Sequence, residues 1–226
     1  MIRYILFDAY GTLLSTGSAS VDATRAILQK HGRTDLDASA FYTEWKALRA
    51  KAIGGMTDFV CEAEVFRATL HTLYQKYAID GNVDADVQIM LDTWGTRDVF
   101  PEVHRTVNRL SQAYTLCIAS TTDTEPLVCD LRRNGLVFSH VYTSESLRVY
   151  KPHHDFYQSI LDDLHSVPDE VLFVGDSLTD DVWGPARLGI KTCHVNRKNT
   201  PYREIVPDYT VSSLDELPDL LNEEQL

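Results

Sequence analysis

No stretch of this chain approaches the roughly 20 consecutive apolar residues of a membrane-spanning helix. Cysteine is sparse. Cys61, Cys117, Cys129 and Cys193 are present and no two form a CxxC pair, which argues against zinc. Cys117 lies inside an apolar run and reads as a core residue. A reducing, cytoplasmic location fits this usage. Positive charge is in deficit, with 21 Lys and Arg against 33 Asp and Glu and a formal net charge of −12. That balance argues against nucleic acid or an anionic membrane as the main partner. A small anionic substrate would need a local positive patch or a metal ion. Met1-Ile2-Arg3 runs straight into a strand pattern, so no signal peptide is expected. Internal repeats and low-complexity segments are also absent.

What is present is an ordinary globular composition, 44% hydrophobic and 24% charged over 226 residues. That length holds one large domain or a core with an insertion. Apolar runs at 115–119, 171–174 and 191–195 read as buried parallel strands. Helical patterns fall near 101–112, 124–134, 153–164 and 180–188. Leu136 to Tyr142 gives a further short strand and Tyr209-Thr210-Val211 an edge strand. Ser213 looks like an N-cap, with Glu216 at the third helical position. Repeated βα units predict a doubly wound parallel sheet of Rossmann type in an α/β fold. Residues 15–95 differ, with helical patterns at 19–31, 38–51, 57–77 and 83–93 and almost no strand signal. Gly54-Gly55 and Asp80-Gly81-Asn82 break that series. The predicted division is therefore an α/β core of residues 1–14 and 96–226 with an all-helical insert, 15–95. The tail, 222–226, reads as frayed.

Asp8-Ala9-Tyr10-Gly11-Thr12-Leu13 follows the apolar run Tyr4-Ile5-Leu6-Phe7. An acid that ends a buried strand is costly unless it is used. Taken with Ser120-Thr121, Lys151-Pro152 and Gly175-Asp176-Ser177-Leu178-Thr179-Asp180-Asp181, it resembles the four motifs of the haloacid dehalogenase-like hydrolase superfamily. Order and spacing both match, and the resemblance spans residues 1 to about 222. The insert is similar to the small helical cap that follows the first motif in one subgroup. In open α/β sheets, ligands bind beyond the carboxyl ends of the strands. Asp8, Ser120 and Asp176 each follow an apolar strand, so three distant polar groups converge on one rim.

The chemistry follows from those residue types. Asp8 is the candidate nucleophile, forming an aspartyl intermediate that water hydrolyses. Asp176 and Asp181 supply hard oxygen ligands and, with Asp8, suit Mg2+. The resemblance adds the Tyr10 carbonyl as a ligand and selects Asp181 over Asp180. It also implies that Lys151 pairs with the nucleophile and neutralises charge on the transferred group. Ser120 or Thr121 would donate to a phosphoryl or carboxylate oxygen, with backbone amides near 9–11 and 121–122. Tyr157, six residues after Lys151, matches the dehalogenase pattern.

The chain also departs from both branches of the family. Phosphatases of this kind carry a second Asp two residues after the nucleophile, as general acid and base. Here that position is Tyr10, whose side chain titrates near 10 when unperturbed. The 2-haloacid dehalogenases share Asp-x-Tyr-Gly-Thr and expel a halide, which needs no proton. They do not require magnesium, however, and place Ser-Ser-Asn where this chain has Gly175-Asp176. They carry Asn where this chain has Thr121, and their cap Arg is missing from Phe41-Tyr42-Thr43; Arg49 and Lys46 are the nearest substitutes but read first as exposed helical charges. Acids aimed at Asp8 call for a cation. This ranks a Mg2+-dependent phosphatase of small phosphate esters first and a dehalogenase-like hydrolase second. A binding protein impaired in catalysis comes third. Without the second Asp, a phosphatase would need a good leaving group or an acid from the cap, where Glu44, Glu62, Glu64 and His71 are candidates. His153-His154 reads as a surface helix start, and Trp45, Trp94 and Trp183 as packing residues.

Overall fold

The structure, a computed structural model, describes residues 1–223. Six strands form one parallel sheet in the order β3-β2-β1-β4-β5-β6. They are β1 (Tyr4–Phe7), β2 (Thr115–Ser120), β3 (His140–Thr143), β4 (Val171–Gly175), β5 (Lys191–Val195) and β6 (Tyr209–Val211). The inner strands are apolar almost throughout because both faces are covered, as parallel sheets require. Strand order reverses on either side of β1, so the switch point of the sheet lies between β1 and β4. Phe7 is level with Ile118 on one side and Val174 on the other. Asp8, Ser120 and Asp176 therefore emerge together from the carboxyl ends of three adjacent strands.

The chain divides into two compact units. The first holds residues 1–15, 98–121 and 134–226, with the sheet and its helices. The second holds residues 16–97 and 122–133 and is helical. Its helices are α1 (Ala19–Lys30), α2 (Ala38–Gly54), α3 (Glu62–Tyr77) and α4 (Val83–Leu91). The sheet unit begins its helices with α5 (Val103–Leu110). Next comes α6 (Thr124–Arg133), which belongs to the helical unit. The sheet unit continues with α7 (Ser144–Leu147), α8 (His154–Asp163), α9 (Gly184–Ala186) and α10 (Leu217–Glu223). Phe156, Tyr157, Ile160 and Leu161 of α8 pack on Leu6, Cys117, Ala119 and Phe173 of the sheet.

In the helical unit, Ile27, Phe41, Trp45, Phe66, Leu70 and Met90 form the core. The Trp45 indole N–H donates to Thr69 Oγ1 at 3.0 Å, so its polar edge is satisfied where it is buried. One carboxylate also lies in this unit's interior. Asp86 is fully buried and accepts from Lys30 Nζ at 2.6 Å, His31 Nε2 at 2.7 Å and Tyr74 Oη at 2.7 Å. Burial alone would raise its pKa, but the Lys30, Tyr74 and His31 hydrogen bonds outweigh it and hold the carboxyl below its ordinary value.

Several elements differ from the sequence reading. The division places Thr122–Arg133 with the helices, whereas 96–226 was expected to be core. Three contacts explain it: Asp123 caps α3, Asp130 accepts the Arg97 amide at 2.6 Å, and Gly95 closes on the Cys129 side chain. Helix α3 starts at Glu62 rather than 57, because the Asp123 carboxylate takes the amides of Glu62 (2.7 Å) and Ala63 (3.0 Å). Leu136 to Phe138 are not strand. Phe138 instead meets the Phe7 ring edge-on, and pairing to β2 begins with the Ser139 amide. Ser213 makes no side-chain cap; the Ser212 hydroxyl bonds Glu216, and a 3-10 turn precedes α10. Trp183 is 42% exposed, with the Arg187 guanidinium over its ring, and is not a core residue. Of the tail, Asn222 and Glu223 end α10, and 224–226 lie outside the described residues.

Removing the buried charge at Asp86 tests the helical unit. Asp86→Asn is expected to destabilise the protein by about 2 kcal/mol at neutral pH, because the charge-assisted hydrogen bonds from Lys30, His31 and Tyr74 to the buried carboxylate are weakened. The folded carboxyl lies below its unfolded value, so this stability is full above about pH 4 and is lost as pH falls through the folded pKa. Unfolding curves for wild type and variant should converge in acid. A gap that stays constant with pH would rule out the ionic account.

Candidate active site

Lys151 is the centre of the rim. It is 3% exposed, and its ammonium donates to Asp8 Oδ1 at 2.8 Å, Asp181 Oδ1 at 2.7 Å and the Ala119 carbonyl at 3.0 Å. All three N–H donors are used. The Asp8 amide donates to the Val174 carbonyl at 2.9 Å, which ties the β1 end to β4. Asp181 Oδ2 accepts the Ser177 amide at 2.9 Å. Asp176 completes the group, so that one carboxylate oxygen from each of Asp8, Asp176 and Asp181 lies within 4.8 Å of the others. Asp8 and Asp181 are buried, and Asp176 is open to solvent.

Burial pushes the Asp8 carboxyl well above its ordinary value, against the pull of Lys151. It likewise lifts Asp181 to about 6, again opposed by Lys151. Burial alone would lower the Lys151 ammonium, but Asp181 and Asp8 outweigh it and the group stays charged. Three carboxylates face one ammonium, so the cluster is short of positive charge. Its donors are hard oxygens, which suits Mg2+ better than softer ions.

Two glycines make the cluster possible. A Cβ at Gly175 would lie 2.2 Å from Asp181 Oδ2. One at Gly11, whose φ is +100°, would lie 2.4 Å from Asp176 Oδ2. The stretch expected as helix 180–188 instead opens with a π-helical turn, Leu178–Trp183. The buried Tyr157 hydroxyl donates to the Asp180 carbonyl at 2.5 Å, and at Gly184 a Cβ would lie 2.1 Å from that hydroxyl. This wide turn carries Asp181 inward. Asp180 leaves its carbonyl to Tyr157 and its amide to the Ser177 hydroxyl.

The other candidates fall as follows. Tyr10 is half-buried in the loop after β1. The Gly11 amide donates to the Leu14 carbonyl at 2.8 Å and is thus engaged within that loop. Ser120 is buried at the end of β2 beside Thr143. Among the described residues the buried Thr121 hydroxyl has no hydrogen-bond partner, and a bound oxygen would satisfy it. In the helical unit, Glu44 pairs with Lys76, Glu64 with Arg67, and buried Glu62 with Arg49 at 2.5 Å. Lys46 lies over the Tyr42 ring, and His71 is exposed. His153 caps α8 through the Asp155 amide, with His154 exposed beside it.

Sequence reasoning did not find Gly184 or His194, whose ring lies 3.1 Å from the Asp176 carbonyl. The only prior signal was a histidine at the end of an apolar strand.

A model of the haloacid dehalogenase-like hydrolase family matches residues 2–189. The chain belongs to this family. It is 27% identical over 228 residues to (S)-2-haloacid dehalogenase 4A of Burkholderia cepacia, covering 97% of this chain and 95% of the relative. It is 28% identical over 234 residues to pyrimidine 5'-nucleotidase PynA of Streptococcus pneumoniae, covering 97% and 95%. The magnesium-bound structure of the HAD-hydrolase YfnB from Bacillus subtilis shares the fold, with a TM-score of 0.83 at 23% identity over 98% of this chain and 99% of that one. This hydrolase has no helix, among the described residues, long and apolar enough to cross a membrane.

Lys151→Met tests the buried ion pairs. Two carboxylates would lose their only ammonium, at a cost of about 3–5 kcal/mol. A folded carboxyl raised above its unfolded value takes stability away as pH rises from about 4 through the folded pKa. The melting deficit of Lys151→Met should therefore be larger at pH 8 than at pH 5. A deficit independent of pH would show that Lys151 does not compensate these carboxylates.

Proposed function

We propose that this hydrolase acts at carbon, displacing halide from small 2-haloacids through an ester on Asp8. Tyr10 carries the reading. At the position where a leaving group would be protonated, the chain holds a phenol in place of a carboxyl group. A halide leaves without a proton, so nothing is missing. The end-to-end similarity to a 2-haloacid dehalogenase supports the same choice and reverses the ranking drawn from sequence, which put phosphate esters first.

Asp8 Oδ1 accepts from Lys151, which leaves Oδ2 as the attacking atom. Oδ2 forms a bond to the carbon that bears the halogen as the carbon–halogen bond breaks and halide departs. Lys151 aligns the carboxylate and favours its ionised form. Water then adds to the Asp8 ester carbonyl. The carboxylate is regenerated, the 2-hydroxyacid keeps one proton on its new hydroxyl, and one proton passes to solvent. The unpartnered Thr121 hydroxyl and neighbouring Ser120 suit the substrate carboxylate.

A second reading rests on Asp176. Hydrolysis at phosphorus through an aspartyl-phosphate would use Mg2+ held by Asp8, Asp176, Asp181 and the Tyr10 carbonyl. When bound, the ion would offset charge between the nucleophile and the phosphoryl group. Lys151 would again orient Asp8, and the missing acid at Tyr10 would restrict the enzyme to good leaving groups.

One assay pair separates these readings: halide release from (S)-2-chloropropionate and phosphate release from p-nitrophenyl phosphate, each with Mg2+ and with EDTA. The expected result is halide release insensitive to EDTA and reduced about a thousandfold or more in Asp8→Asn. Phosphate release that needs Mg2+, without halide release, would move the conclusion to the second reading. If neither product forms, the catalytic proposal fails.

A further inference from the structure

The Asp176 carboxylate has little to hold it. It is exposed, and the Thr12 hydroxyl lies a long 3.5 Å from its Oδ1. Its direction must come from the backbone. The β4–β5 ladder ends at the pair Gly175 and His194. One residue further, the Asp176 carbonyl meets the His194 ring, with Nε2 at 3.1 Å. A carbonyl can only accept, so Nε2 carries the proton and the side chain extends the ladder one step past its last backbone pair. Nδ1 is then the acceptor, and the Tyr202 hydroxyl reaches it at 2.8 Å. Tyr202 in turn meets the Thr210 hydroxyl at 2.8 Å, on β6. The ring is 5% exposed, so its two nitrogens are held by these partners away from solvent. The segment after β5 also reaches the other loop of the site, through Arg197 to the Thr12 carbonyl at 3.0 Å.

We propose that His194 is a positioning residue. By holding the Asp176 carbonyl it fixes the aim of the Asp176 carboxylate, and so sets the affinity of the Asp8–Asp176–Asp181 cluster for a divalent cation. Tyr202 and Thr210 lock the ring in the required tautomer. The inference rests on the cluster accepting a cation, and is independent of whether the enzyme cleaves at carbon or phosphorus. Partners of this kind, one step behind the ligands, commonly contribute 10–100-fold to metal affinity, as an order of magnitude of about ten to a hundred.

Titration calorimetry with MgCl2 on the purified full chain tests it, alongside melting curves. Asp176→Asn should abolish binding. His194→Phe, which removes the donor, should weaken Mg2+ binding about tenfold or more. His194→Gln offers an amide N–H to the carbonyl and an oxygen to Tyr202, and should bind within about threefold of wild type. Tyr202→Phe should weaken binding several-fold while keeping the fold. Equal binding by His194→Phe and wild type overturns the proposal, as does equal weakening by Phe and Gln. If His194→Phe does not fold, Tyr202→Phe decides, and wild-type affinity there overturns it. Absence of Mg2+ binding by wild type would remove the cation reading itself and this inference with it.

Discussion

Everything at the rim depends on a buried ammonium held between two buried carboxylates. Taking Lys151, Asp8 and Asp181 out of water is expensive, and their mutual attraction repays it only with good geometry. The fold supplies that geometry by topology. Asp8 ends β1 and Asp181 lies in the turn after β4, on the two sides of the switch point. Lys151 comes from the chain after β3 and α7, and its third proton goes to the carbonyl of Ala119 in β2. One side chain thus ties together segments that meet only because β1 lies between β2 and β4.

The surrounding residues can be understood as what this arrangement needs. Gly11 and Gly175 leave room for two carboxylates that any larger residue would displace. The π-helical turn is wider than an α-turn, and such turns are frequent at functional sites. Here Tyr157 and Gly184 fix it as a matched pair, the hydroxyl filling the space the glycine leaves. The aromatic residue does not reach the substrate side by its polar end; that end is spent on the Asp180 carbonyl.

Much of this was legible in the sequence because it is local. Short apolar runs mark the strands, and β1, β2, β4, β5 and β6 fall where those runs lie. The grouping of Asp8, Asp176, Asp181 and Lys151 could be read because four short motifs each sit next to a strand. What escaped depends on partners distant in sequence. No pattern in 57–61 tells that Asp123 will cap α3 from 61 residues away. Alternating Leu136 and Phe138 imitate a strand while only packing their side chains. Tyr157 was noted for its spacing from Lys151, yet its hydroxyl's target, a carbonyl 23 residues on, has no sequence signature. His194 was invisible for the same reason: its role depends on which strand lies beside β5.

Two features of the site pull the chemistry in opposite directions, and charge counting shows how they coexist. Tyr10 removes the proton donor that an alkoxide leaving group needs. Asp176 adds a third negative charge beside Asp8, which as the proposed nucleophile would have to be ionised. Without a cation, protons are the remaining source of positive charge, and Asp8 and Asp181 are raised first by burial and then by neighbouring carboxylates, against Lys151. A protonated Asp8 cannot attack. Ionising it at neutral pH therefore depends on Lys151 and on whatever else offsets Asp176. Asp176 is raised as well, to about 6, by burial and then by the neighbouring Asp8 charge, so it bears on the nucleophilic position. A displacement at carbon would need only Lys151 and one ionised Asp8. Transfer from a phosphate ester brings further negative charge against the same carboxylates and raises the demand for a divalent ion. The electrostatic cost thus falls more heavily on phosphorus than on carbon, in the same direction as the missing acid at Tyr10.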